Sequence, residues 1–275
     1  MKNIKQFENK VINGDCIEVM KTMPDNSVDT VICDPPYELN FMGKGWDNQG
    51  IAFQKETWEE VLRVAKPGAT LMAFGGTRTY HRLACAIEDA GWQIFDCIFW
   101  IYGVGFPKSH NIHKALKKKG SEKADEWLGW GSALKPAVEP IVCARKPLDG
   151  TYANNVLKWG VSGLNIDGGR IGTKPRTTHK DGNYRGNIPK ESEWADDKKG
   201  FKKGFQNRGA QGRFPSNIIL DEQAAEMLDE QSGDCKASGK YKQSGNTEWY
   251  GGKSKYKHTM FNDKGGASRF FKIIK

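Results

Sequence analysis

From Val11 to Val142, short apolar runs bounded by turn residues alternate with stretches of helical spacing. Val28-Asp29-Thr30-Val31-Ile32-Cys33 is rich in β-branched residues, the pattern of a buried strand. Thr57 to Ala65 has helical spacing and stops at Lys66-Pro67-Gly68, and Ala69 to Phe74 is again strand-like, ending in Gly75-Gly76. Tyr80 to Ala90 predicts a second helix, which Gly91 closes in the manner of a C-terminal cap. Trp92 to Tyr102 is a long apolar, aromatic run and reads as another strand; Ala133 to Val142 reads as a loop running into a strand. Upstream, Val11-Ile12-Asn13 reads as a strand ending in a Gly14-Asp15 turn, Ile17 to Met23 as a short helix, and Pro24-Asp25-Asn26-Ser27 as a turn. Such alternation predicts a mainly parallel sheet covered on both faces, an α/β fold.

The character changes near Gly150. Ile171 to Arg213 is polar and glycine-rich, with eleven basic residues against five acidic ones and Tyr184, Trp194, Phe201 and Phe205 interleaved. Basic side chains neutralise phosphates and aromatic rings between them offer stacking surfaces; the same composition also describes a solvated loop. Gly212 to Leu220 returns to an ordered strand, and Asp221 to Gln231 has the look of a short helix. The 275 residues suffice for one large α/β domain with an inserted or appended segment, divided here into 1–149 and 150–275.

Charge and cysteine usage narrow the class. The net charge of +9 suits a polyanionic partner without naming one. Six cysteines (16, 33, 85, 97, 143, 235) form no C-x-x-C pair and several sit in apolar runs, which predicts buried free thiols in a reducing cytoplasm. His110 and His113 have no cysteine or acidic cluster beside them, so no metal is expected. No apolar run is long enough to span a membrane, and the first residues do not read as a signal peptide.

Asp34-Pro35-Pro36-Tyr37 follows the first strand directly. Two prolines stop the ladder, since neither donates an N–H, and Pro36 holds Pro35 extended. An acidic side chain, a rigid loop and an aromatic ring thus stand at the carboxyl end of a strand, where open α/β sheets bind ligands. These four residues, with the strand–turn–helix–turn–strand unit ahead of them, resemble the amino-DNA methyltransferases of the permuted β group. The resemblance implies a Rossmann-like sheet, S-adenosylmethionine as methyl donor, double-stranded DNA as substrate and adenine N6 as acceptor, Asp rather than Ser before Pro-Pro-Tyr favouring adenine over cytosine N4. It implies that Asp34 and the Pro35 carbonyl accept from the target amine, and that Tyr37 stacks on a base rotated out of the duplex. It also implicates Asp15 and Cys16 against the cofactor's adenine, although Asp15 fits a helix N-cap equally well on spacing. Lys135 to Glu139 would lie near the target base, or form an ordinary loop-to-strand junction. Residues 150–275 become the target-recognition region, with Lys198, Lys199, Lys202, Lys203 and Arg213 as its nucleic-acid contacts. Gly103 to Ser109 is either a turn or a cradle for base and phosphate.

Relatives of this group continue past the equivalent of Ser268-Arg269-Phe270-Phe271 into a strand ending in a Phe-x-Gly-x-Gly turn, which holds the cofactor's methionine moiety. Here the chain reads Lys272-Ile273-Ile274-Lys275, and Ala73-Phe74-Gly75-Gly76 is the nearest substitute. The expectation is an incomplete sheet that leaves Val28–Cys33 with an unpaired edge. A second polypeptide would then supply the strand; a truncated product or an inactive remnant are the other outcomes. The competing functions are an RNA or protein amide methyltransferase and a non-catalytic DNA-binding protein.

Overall fold

The computed structural model describes residues 3–39, 49–107, 109–175, 211–236 and 264–274. Helix α1 (Cys16–Thr22) starts where the Asp15 carboxylate accepts from the backbone N–H groups of Ile17 and Glu18, both at 3.0 Å. The N-cap reading of Asp15 therefore holds. Val11 to Asn13 form no strand and Val11 is fully exposed. Two adjacent apolar residues gain too little burial to hold a three-residue strand in the absence of a paired neighbour.

Strand β1 (Val28–Cys33) leads to helix α2 (Lys55–Val64), strand β2 (Ala65–Phe74), helix α3 (Tyr80–Asp89) and strand β3 (Gln93–Ile101). Helix α4 (Ile112–Lys118) precedes strand β4 (Val138–Arg145) and helix α5 (Tyr152–Trp159). Asn165–Ser216 form a compact unit of their own, holding helix α6 (Ile166–Gly169) and the antiparallel pair β5 (Ile171–Pro175) and β6 (Gln211–Arg213). Strand β7 (Ile218–Asp221), helix α7 (Glu222–Ser232), the short pair β8 (Cys235–Lys236) and β9 (Lys264–Gly265), and strand β10 (Lys272–Ile274) follow.

Six strands form one sheet in the order β1-β2-β4-β3-β7-β10. Strands β1/β2, β3/β7 and β7/β10 run parallel; β4 is antiparallel to both of its neighbours. The main core lies where α2 and α3 cover β2 and β4: Trp58, Val61, Leu83, Ala86 and Ile87 meet Ala69, Leu71, Ala73, Val142 and Ala144. Helical spacing puts the first set on the inward faces of α2 and α3. Two buried indoles chain this core together, Trp92 Nε1 donating to the Trp58 carbonyl (3.1 Å) and Trp58 Nε1 to that of Ala52 (2.9 Å). Strand β3 keeps Ile94, Phe95 and Phe99 partly exposed, so its cover is incomplete.

Two sequence expectations need correction. Strand β1 is not buried as its apolar run suggested: Ile32 is 67% exposed, and β1 takes the expected edge position, outermost in the sheet and unpaired on its far side among the described residues. The apolar run satisfied one neighbouring strand, whereas burial required two. Nor are all the thiols buried, since Cys16 and Cys85 are exposed. Cys85 sits on α3 between core positions Leu83 and Ala86, and the helical turn carries it outward.

Behind the sheet, the Lys146 ammonium donates to Asn26 Oδ1 (2.7 Å) and to the carbonyls of Leu62 (2.8 Å) and Ala65 (2.9 Å). It thereby closes the end of α2 and fixes the turn that launches β1.

Candidate active site

Strand β1 delivers Asp34 to its carboxyl end as an exposed side chain, followed by Pro35, Pro36 and Tyr37, all half-buried. Tyr37 is fixed at three points. Its hydroxyl donates to Glu139 Oε2 (3.2 Å), its carbonyl accepts from Thr79 Oγ1 (2.8 Å), and its ring lies against Gly76, where a Cβ would stand 3.0 Å from Cδ2. The Gly75-Gly76 turn at the end of β2 thus leaves room for the ring.

Glu139 arrives from β4. Because β4 runs antiparallel to β2 and β3, its first residues meet their last ones: Glu139 pairs with Trp100 across the sheet. Phe74, Trp100 and Tyr102 continue the aromatic surface through edge-to-face contacts of 6.3 and 5.9 Å. Burial raises the Tyr37 phenol pKa, and the nearby Glu139 and Asp34 charges raise it further. Glu139 is also pushed up, mainly by burial and in part by Asp34, against the opposing hydrogen bond from Tyr37. Next to Asp34, burial lifts the Cys33 thiol to about 12, with smaller contributions from Asp34 and Cys16. Tyr37, Glu139 and Asp34 are therefore one electrostatic unit, and Cys16 lies close enough to β1 to act on Cys33.

The unit opens on a cleft of about 640 Å³, lined by Tyr37, Leu39, Gly76, Thr77, Arg78, Tyr102 and Ala133 to Glu139. That volume falls in the range of small-ligand sites, roughly 300–1,000 Å³. Lys135 is on the wall, its ammonium donating to the Gly103 carbonyl (2.9 Å). Gly103 and Gly105 serve close packing: a Cβ on Gly105 would stand 1.9 Å from the Pro136 carbonyl, and one on Gly103 would stand 2.6 Å from Gln223. Asp221, the cap of α7, also accepts from the Gly103 N–H through both oxygens at 3.2 Å. The turn reading of this stretch fits these contacts, and Phe106 points away into solvent at 82% exposure.

The structure brings Tyr37 and Lys135 to one cleft, while Asp34, which acts on Tyr37 through its charge, is not among the lining residues. Asp15 and Cys16 stand at the start of α1, outside the cleft lining, with Asp15 capping through Oδ1. Arg213 belongs to the separate unit of residues 165–216. Lys198, Lys199, Lys202 and Lys203 lie outside the described residues. Sequence reasoning missed Thr77, Arg78 and Tyr102. Thr77 and Arg78 follow the carboxyl end of β2, so the strand-end rule that singled out Asp34 could have found them. Among the described residues no cluster of three metal-ligating side chains occurs, and no helix is long and apolar enough to cross a membrane.

Two acceptors beside an aromatic face can hold a flat heterocycle bearing an amine. A DNA methylase family model matches residues 28–219. The Type II methyltransferase M.HindIII of Haemophilus influenzae is 25% identical over 198 residues, covering 56% of this chain and 64% of the relative. M.BglII of Bacillus subtilis is 29% identical over 185 residues, covering 62% and 48%. M.HinfI of Haemophilus influenzae is 27% identical over 118 residues, covering 36% and 33%. The match to this chain thus spans between 33% and 64% of the length of these relatives. Among solved structures, M1.HpyAVI in complex with SAM superposes at a TM-score of 0.27 with 21% identity over 44% of this chain and 45% of its own, too loosely to bear on function.

Proposed function

The chain belongs to the N6/N4 DNA methylase family, and from that premise we propose that it methylates an exocyclic nitrogen of double-stranded DNA, adenine N6 in the first place, with S-adenosylmethionine as donor. The observation that carries this reading is the placement of Asp34-Pro35-Pro36-Tyr37 at the end of β1, with Tyr37 on the wall of the cleft. An exocyclic amine is a weak nucleophile because its lone pair is delocalised into the ring. The Asp34 carboxylate and the Pro35 carbonyl accept from its N–H groups and draw the nitrogen toward its tetrahedral, nucleophilic form. Tyr37 offers a stacking face to a base rotated out of the duplex. Holding the pair in line supplies much of the acceleration. Asp34, exposed to solvent, then takes the proton that the methylated nitrogen sheds. Arg78 and Lys135, at the cleft, neutralise the flanking phosphate.

The cofactor supplies a methyl group on a sulfonium, already a good leaving group. Asp15 fits a place beside it, because it caps α1 through Oδ1 alone and keeps Oδ2 as an acceptor. Cys16, exposed beside β1, is the second contact. The described residues do not otherwise enclose a cofactor, and the outer edge of β1 is the open side. A strand from a second polypeptide, pairing there, would complete the enclosure. Lys198, Lys199, Lys202, Lys203 and Arg213 extend the phosphate contacts.

The test is incubation with S-adenosylmethionine and duplex DNA, followed by mass spectrometry of the nucleosides, alone and with a polypeptide that pairs with β1. N6-methyladenine should form, and Asp34→Ala should abolish it. N4-methylcytosine would transfer the assignment to cytosine, and full activity of Asp34→Ala would sink the mechanism.

A further inference from the structure

Strands β3 and β4 are joined through a small lobe, in which α4 packs against a 3-10 turn at Glu122–Trp127. Its two stems are clasped. Ser109 Oγ accepts from the backbone N–H groups of Ser132 (3.0 Å) and Ala133 (3.2 Å), and Ser132 Oγ accepts from that of His110 (2.8 Å). Asn111 bridges to Gly131, where a Cβ would stand 2.4 Å from Ser109 Oγ. The residues that follow the clasp, Ala133 to Lys135, line the cleft. The lobe is therefore fastened to the cleft wall.

Its surface carries two features that packing of the lobe does not use. Trp127 and Trp130 meet edge to face at 5.4 Å, yet Trp130 is 60% and neighbouring Leu128 70% exposed. Lys117 is tied to Asp125, while Lys114, Lys118 and Lys119 are exposed and enter no ion pair among the described residues. Indoles alone would suit a protein partner. Indoles and unpaired ammonium groups on one lobe, fastened to the cleft wall, suit a polyanion that also presents stacking surfaces.

We propose that this lobe is a second DNA-contact surface: Lys114, Lys118 and Lys119 bind phosphates flanking the base held in the cleft, and Trp130 packs against the nucleotide beside it. This rests on the methyltransferase reading for the identity of the polymer.

The test measures duplex affinity of the full chain against salt concentration, with methyl transfer followed in parallel. Replacing Lys114, Lys118 and Lys119 by Gln should flatten the slope of log affinity against log salt by about 0.9 per lost contact, roughly 2 to 3 in all. Trp130→Ala should weaken binding about fivefold or more while leaving the slope unchanged. Circular dichroism and melting of each variant confirm folding. Unchanged slope and affinity, or a parent chain that binds no duplex, overturn the proposal. Methyl transfer with lobe variants that bind normally would refute the lobe alone; weakened binding by the variants in a chain that transfers no methyl group even with the β1-pairing polypeptide added would refute the enzymatic reading alone.

Discussion

The Tyr37 hydroxyl donates to Glu139 Oε2 at 3.2 Å across 102 residues of chain, joining the motif after β1 to the start of β4. Tyr37 is thereby held as a fixed surface, and Glu139 becomes a positioning residue for it. Tyr37→Phe keeps the ring and loses the tether, so its KM should rise only slightly while kcat drops severalfold. Tyr37→Ala should lose the stacking too, about 1–3 kcal/mol of base binding. Steady-state kinetics on a duplex substrate separate the two, and equal kinetics for Tyr37→Phe and the parent chain would remove Glu139 from the machinery.

The raised Glu139 carboxyl sets a pH dependence. The folded state holds its proton at pH values where an unfolded glutamate has already lost it, so the associated stability is fully present below the ordinary glutamate pKa. It is lost as pH rises through the folded value. Glu139→Gln should flatten the fall in melting temperature across that window.

Asp34→Ala should leave the melting temperature nearly unchanged, because the side chain is exposed at the end of a strand. Methyl transfer should disappear. A large loss of stability would assign Asp34 to the fold instead.

Lys146→Met should cost about 2 kcal/mol or more, since three acceptors on α2 and the Asn26 turn lose a charged donor. Urea unfolding measures this, and a cost below 0.5 kcal/mol, typical of substitutions away from such features, would contradict it.

Asp229 accepts from the backbone N–H (2.8 Å) and hydroxyl (2.7 Å) of Ser268, bonds that hold its pKa below the usual carboxylate range. That contribution is present above the ordinary aspartate value and lost as pH falls through the depressed one. Hydrogen exchange at residues 267–271 should therefore show less protection in strong acid than at neutrality, allowing for the intrinsic rate, and Asp229→Asn should abolish the difference.

Much of this was legible because it is local. Strand β1 falls on the residues its β-branched run marked, and α3 and β3 end within a residue of expectation, since Gly91 and the flanking turn residues act in place. The Asp34 motif was readable for the same reason. What could not be read depends on partners remote in sequence. Nothing in Val138 to Arg145 announces that it inserts antiparallel between β2 and β3, and so nothing predicted the Tyr37–Glu139 bond. The edge position of β1, by contrast, was expected from the resemblance, although its apolar run alone read as buried. Trp127 and Trp130 carry no periodic signal that would distinguish a surface pair from a core pair.

The inserted position of β4 also has a consequence in time. A chain emerging from the ribosome folds from its amino end, and Asp34 and Tyr37 appear more than a hundred residues before Glu139. Until β4 is made, β2 has no partner on its inner side and Tyr37 no anchor. The Asp34 to Tyr37 loop is thus synthesised well before the residue that anchors its tyrosine. A nascent chain stopped short of Val138 would display Asp34 to Tyr37 without the Glu139 anchor and without the strand that joins β2 to β3, so the loop acquires its fixed form only once that late strand is made.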